Sequence, residues 1–203
     1  GKDIGLLKEP YNATSITIHP GERYDLLIDL PESRMPIYYE TSRGITVMGT
    51  LDADASRTGT QRIGGGQQQE LPDFSYLLEQ EPDEVVELRG VMQPMQGLTW
   101  TLDGQAHPED TYSLELEEGE TYKVRMVNTQ GQPHPMHLHG QKFQVLAING
   151  EPVEVNGWQD TVMVSGAATV DIGFIAEGQG DWAFHCHILE HADAGMFGIV
   201  RVA

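Results

Sequence analysis

Cys186 is the only cysteine in the chain, and it stands between His185 and His187, with a further histidine at His191 and a methionine at Met196. Bounded by Phe184 and Ile188, the tripeptide reads as extended chain, and along a strand successive side chains point to opposite faces. Cys186 then looks one way while His185 and His187 look the other. Such a strand serves two metal sites at once, because thiolate, thioether and imidazole donors together suit copper moving between its two oxidation states. On the thiolate side, a set of Cys, two His and a weak axial Met lacks only one histidine.

His134-Pro135-Met136-His137-Leu138-His139-Gly140 can supply it. By the same alternation His137 and His139 share a face, while His134 is set apart by Pro135. Cys186, His134, His191 and Met196 thus read as one copper site, and His185 and His187 as ligands of further coppers across the backbone. Six of the eight histidines lie in these two clusters, a concentration that packing alone does not require.

With these residues in place, the chain resembles the multicopper oxidases, the family of laccases and of cuprous and ferrous oxidases. The resemblance covers most of the chain. Gly157-Trp158-Gln159-Asp160-Thr161-Val162 is similar to the family's Gly-Trp-x-Asp-Thr segment, and Leu6-Leu7 through Pro20-Gly21-Glu22-Arg23-Tyr24-Asp25 resembles the end of a middle cupredoxin domain. The resemblance implies that His134, Cys186, His191 and Met196 are type 1 copper ligands. It implies that His137 belongs to the type 2 copper, and that His139, His185 and His187 belong to the type 3 pair. The implied reaction is four one-electron oxidations of a small reducing substrate, coupled to reduction of dioxygen to two waters at a trinuclear cluster. Electrons would enter at His191 and pass from Cys186 to His185 and His187, with the axial Met196 giving a moderate potential.

Two departures from the family pattern matter. The N-terminal pair of His-x-His motifs is absent, so this chain holds four of the eight trinuclear ligands. The expectation is therefore a C-terminal portion whose partner is the N-terminal portion of the same oxidase, as a separate or cleaved chain. The second departure follows His191, where many bacterial laccases carry a Glu that delivers protons. Ala192 stands there, with Glu190 and Asp193 nearby. An electron-transfer cupredoxin or a copper-binding protein without turnover would have no use for His137, His139, His185 and His187, which favours the oxidase. Long Met-rich inserts are lacking, which inclines the reading to laccase-like activity, although Met92, Met95 and Met136 are candidates for cuprous-ion contacts.

Composition narrows the rest. A net charge of −19 disfavours nucleic acid and anionic membranes as partners. No run of eighteen apolar residues exists, so no membrane span is expected. Nothing at Gly1-Lys2-Asp3 resembles a signal peptide or an initiator Met, and the start reads as an internal cut. A periplasmic or extracellular location follows from the resemblance alone.

The fold expected is all-β, a cupredoxin-like Greek-key β-sandwich, preceded by a partial cupredoxin domain and a flexible linker. Residues 1–51 are assigned to the preceding domain, with strands over 15–18 and 24–30 and a turn at His19-Pro20-Gly21-Glu22, His19 being no ligand. Residues 52–81, centred on Gly64-Gly65-Gly66-Gln67-Gln68-Gln69, form the linker. From 82 to 203 short strands recur at 85–89, 99–102, 112–116, 122–127, 143–148, 161–164, 169–174, 182–184 and 198–202, separated by turns. Residues 189–194 are expected to form one helical turn that returns His191 toward Cys186, and Gly195 then lets Met196 approach.

Overall fold

The computed structural model describes residues 1–28, 34–41, 43–51, 70–95, 97–106 and 113–203. They form two compact units, one of residues 1–24 with 68–203 and one of residues 25–67. The second unit is built on a hairpin of β1 (Met35–Thr41) and β2 (Gly44–Leu51), antiparallel with a register shift between Ile37 and Tyr38.

The first unit continues with β3 (Glu84–Gln93), β4 (Gly97–Leu102), β5 (Leu114–Leu116), β6 (Thr121–Asn128), β7 (His134–Leu138), β8 (Gln144–Ile148) and β9 (Glu151–Pro152). It ends with β10 (Thr161–Val164), β11 (Thr169–Ile175), β12 (Gly180–Cys186), α1 (Leu189–Asp193) and β13 (Phe197–Val202). Two sheets result, one ordered β10-β7-β12-β13-β5 and one ordered β4-β3-β6-β11-β8-β9. Alternating side chains from both sheets fill the space between them: Val86 and Leu88, Val124 and Met126, Val170, Ile172 and Phe174, Val200 and Val202. Among the described residues the ladders are antiparallel with two exceptions. β3 with β6 and β5 with β13 are parallel pairs, and period-two patterning carries no information about strand direction.

Residues 15–18 and 24–28 are not strands, which corrects the reading of that stretch. Alternation is a necessary condition only; a strand also needs a ladder, and here a single bridge joins Lys2 to Tyr24. The turn at residues 19–22 is present, closed by Glu22 N–H donating to the His19 carbonyl at 3.0 Å.

Of the expected linker, residues 52–69, including the Gly-Gln centre, lie outside the described residues. Residues 70–81 are fastened to the outer face of the second sheet, which corrects the assignment of that part. A 3-10 turn over Ser75–Glu79 seats Leu77, and Phe74 packs with Leu146 and Trp158. Burying Phe74 and Leu77 contributes about 1.5–3 kcal/mol each. Lys123, 2% exposed, donates Nζ to the Leu77 and Gln80 carbonyls at 2.8 and 2.7 Å and stands 3.5 Å from Asp171. A buried ammonium held by two carbonyls and a carboxylate pins the segment, because leaving that charge unpaired would cost several kcal/mol.

Candidate metal centre

β12 lies between β7 and β13, and its register brings the two histidine clusters together. His185 pairs with His137, Cys186 with Met136, and Phe184 with Leu138. Past the strand end the ladder goes on, His187 N–H donating to the Pro135 carbonyl at 2.7 Å. Paired residues share a face, so His137, His185 and His187 lie on one side of the sheet and Cys186 on the core side. His134 has the parity of Met136, and so joins Cys186.

On the core side, His134 Nδ1 is 3.8 Å and His191 Nδ1 3.7 Å from Cys186 Sγ, and the two nitrogens are 3.1 Å apart. Metal-to-nitrogen bonds of about 2.0 Å and metal-to-sulfur bonds of about 2.3 Å reach about 4.0 and 4.3 Å between donors. All three separations are shorter, so one ion can touch the three donors at once. Among the described residues this is the one group of three or more His, Cys, Asp or Glu whose ligand atoms all lie within 4.8 Å of one another. His134 Nε2 is buried without a hydrogen-bond partner. That fits an imidazole turned so that Nδ1 faces an ion, the orphaned Nε2–H costing about 1–3 kcal/mol.

α1 carries His191 back as expected. Its last turn closes with Met196 N–H donating to the His191 carbonyl at 2.9 Å, and Cys186 N–H donates to the Met196 carbonyl at 3.1 Å. Gly195 makes this return with φ +121°; a Cβ there would lie 2.4 Å from the Trp100 carbonyl. Met196 is fully buried in the same core cluster as Cys186 and Trp100. Trp100 packs on His191 in a tilted contact, 4.1 Å between ring centroids, and meets His134 edge-on at 5.0 Å.

Burial dominates the electrostatics. It pushes the Cys186 thiol up to about 11 against a hydrogen bond from the Ile188 N–H. It pushes His134 down to about 4, helped by His191, and lowers His191 as well. Both imidazoles are thereby held neutral, the form that binds metals.

Across the strand, four imidazoles cluster. Ring centroids are 4.6 Å apart for His137 and His139, 5.2 Å for His139 and His185, and 5.7 Å for His185 and His187. His139 Nε2 faces His185 Nε2 at 3.1 Å, again short enough for both to reach one ion. Burial lowers His139 and His185, and their like-charged neighbours add to the effect. His139 is exposed and the other three are half-buried. His137 and His139 border a cavity of about 330 Å³ that Ile4, Gln141, Lys142 and Glu177 also line.

A layer of residues behind this cluster was not singled out from the sequence. Asp160 receives Arg23 Nη1 at 2.8 Å and Nη2 at 2.6 Å, and the Thr161 hydroxyl at 2.9 Å. Burial alone would raise its carboxyl, yet the hydrogen bonds from His137, Arg23 and Thr161 outweigh it and hold the group well below the carboxylate range. Gly21, with φ +88°, lies against the His187 ring, where a Cβ would come within 2.7 Å. The signal was present in the sequence, in Gly21-Glu22-Arg23 and in Asp160-Thr161, but only as similarity to the family; their contact spans 137 residues. Of the methionines considered for cuprous ions, Met92 and Met95 are exposed and Met136 is buried in the core.

The sequence profile of the family described as multicopper oxidase matches residues 79–203. A multicopper oxidase of Staphylococcus haemolyticus is 23% identical over 209 residues, covering 98% of this chain and 41% of that protein. A copper resistance protein A homologue of Pseudomonas syringae pv. tomato is 32% identical over 122 residues, 60% of this chain and 20% of that protein. Among solved structures, a multi-copper oxidase from Pediococcus acidilactici superposes with a TM-score of 0.56 at 28% identity, covering 67% of this chain and 29% of that one. The chain spans about two fifths or less of the length of these relatives.

Proposed function

Because the chain belongs to the multicopper oxidase family, we propose that it is the C-terminal part of an oxidase that couples one-electron oxidation of a reducing substrate to four-electron reduction of dioxygen to water. The observation that carries this reading is the division of one strand between two donor sets: Cys186 with two imidazole Nδ1 atoms on one face, four imidazoles on the other. When bound, copper would supply one-electron transfer on the thiolate side and the dioxygen-reducing site on the imidazole side.

The chain's own residues divide the work. His134, Cys186 and His191, with Met196 buried beside them, would hold the type 1 ion, and Trp100 packs against both imidazoles. His191, partly exposed on α1, offers the side from which a reducing substrate approaches. His137 serves the type 2 ion and His139, His185 and His187 the type 3 pair. The backbone joins Cys186 to His185 and His187 covalently, and the 3.0 Å contact of His185 Nδ1 with the Cys186 carbonyl shortens the path. The openness of the imidazole face fits a site completed by ligands from an N-terminal portion of the same oxidase. Residues 1–51 then stand as the end of a preceding cupredoxin domain.

Phenolic or aromatic donors are the first substrate class in this reading, with cuprous and ferrous ions as the second. Periplasmic or extracellular work belongs to the same reading. Among the described residues no helix is long and apolar enough to cross a membrane. With Ala192 beside His191, Asp193 is the first carboxylate to test as a proton carrier, by the pH profile of Asp193→Asn in the complete oxidase; an unchanged profile counts against it.

The deciding experiment is copper content with an intact-mass spectrum of every chain present, followed by oxygen uptake. The pure chain should hold one tightly bound copper with an intense visible band and consume no oxygen. Adding the N-terminal portion should raise the content to about four and start oxygen consumption. Appreciable uptake by the pure chain would sink the two-part reading, and a complete, copper-loaded protein that consumes none would leave an electron-transfer or copper-holding role.

A further inference from the structure

We propose that Asp160 and Thr161, braced by Arg23, are positioning residues that fix His137 as its Nδ1–H tautomer, so that Nε2 is the nitrogen offered to a metal ion. The proposal rests on the reading of His137 as a ligand, but the tautomer itself belongs to this chain without metal.

The Asp160 main-chain carbonyl sets the direction of the hydrogen bond at His137 Nδ1, and the Asp160 carboxylate sets that of the Thr161 hydroxyl. The Asp160 main-chain carbonyl, 2.9 Å from His137 Nδ1, can only accept, so Nδ1 carries the proton. The same carbonyl uses its other lone pair for Leu138 N–H at 3.0 Å. Thr161 Oγ1 also lies 2.9 Å from His137 Nδ1. Its own proton points away, to the Asp160 carboxylate at 2.9 Å, which leaves the hydroxyl oxygen free to accept from the imidazole. The carboxylate is itself oriented by the two-pronged contact with Arg23. Donation thus runs one way, from His137 through Thr161 to Asp160, with Arg23 donating from the far side. Asp160 Oδ1 stands 3.5 Å from His137 Nδ1, farther than the hydroxyl at 2.9 Å, so the carboxylate acts on the imidazole mainly through Thr161.

Arg23 serves both halves of the cluster. It also donates Nη1 to the Gly21 carbonyl at 2.9 Å, closing the turn whose glycine packs on the His187 ring. A segment more than a hundred residues away in sequence therefore braces one imidazole through Asp160 and another through Gly21.

Replacing Asp160 by Asn makes the chain of donors inconsistent. One amide oxygen cannot accept from both Arg23 nitrogens and from Thr161. With its oxygen in the Oδ1 place the amide keeps Thr161 and Arg23 Nη1 but sets its NH2 against Arg23 Nη2, and with the groups exchanged it loses Thr161 and Nη1, so either arrangement loosens the hold on the hydroxyl proton. The test is the histidine tautomer in the ¹⁵N-labelled, metal-free 203-residue chain near pH 8, by long-range ¹H–¹⁵N correlation. Wild type and Thr161→Ser should show His137 protonated at Nδ1. Thr161→Val removes one of the two acceptors at Nδ1 and leaves the Asp160 main-chain carbonyl, so it should raise the ratio of Nε2–H to Nδ1–H about fivefold; Asp160→Asn, which loosens the hydroxyl, should raise it by less, with the His134 signals unmoved as the sign of a preserved fold. Arg23→Gln, at a half-exposed side chain, should raise it less and keeps the test decisive if a buried variant misfolds. An unchanged Nδ1–H signal in the folded variants overturns the proposal and leaves copper binding untouched. A shifted tautomer in a chain that never uses His137 for copper supports the proposal and sinks the functional reading instead.

Discussion

The burial of His134 makes the metal-free chain acid-sensitive. Its imidazole titrates at about 4 when folded and near 6.5 when unfolded, so between those values the unfolded chain binds the proton and the folded chain does not. A lowered basic group of this kind is neutral to stability above pH 6.5, and it weakens the fold progressively as pH falls from 6.5 toward 4. Integrating the linkage gives a loss of about 2 kcal/mol at pH 5 and about 3 kcal/mol at pH 4. The lowered His139, His185 and His191 act in the same direction. With a urea slope of about 2 kcal/mol per molar, the unfolding midpoint should drop by about 1 M or more between pH 7 and pH 5 at constant slope. The assay is urea unfolding of the reduced, chelator-treated chain from pH 7.5 to 4.5, alongside His134→Gln. A midpoint flat over that range, or an acid loss equally steep in His134→Gln, would refute the assignment of the loss to this buried imidazole.

Two further outcomes can be checked with the same material. With the Cys186 thiol pushed up to about 11, copper binding near neutral pH should release close to one proton from sulfur, read by calorimetry in buffers of different ionisation enthalpy; Cys186→Ser should lose that proton and the intense visible band together. Gly21→Ala should lower stability by about 1–3 kcal/mol, since it places a Cβ 2.7 Å from the His187 ring at φ +88°. An unaltered melting temperature in that variant would mean the turn does not brace the histidine.

Much of the donor arrangement was legible because it is local. In His185-Cys186-His187 the alternation of an extended chain is enough to put sulfur on one face and imidazoles on the other, and the return of the chain at the end of α1 was foreshadowed by Gly195. What the chain alone left open depends on which strand lies beside which. That His134 shares a face with Cys186 follows from the pairing of β7 with β12, and that His137 meets Thr161 follows from the pairing of β7 with β10. Likewise, the alternating residues 15–18 and 24–28 form no strand because no partner ladder meets them, and residues 70–81 are ordered because Lys123 offers a buried charge that their carbonyls satisfy. Spacing along the chain determined which donors each strand presents and to which side. Register, burial and the bracing of Asp160 by Arg23 were decided only by tertiary structure, since they depend on distances between residues that sequence separation does not encode.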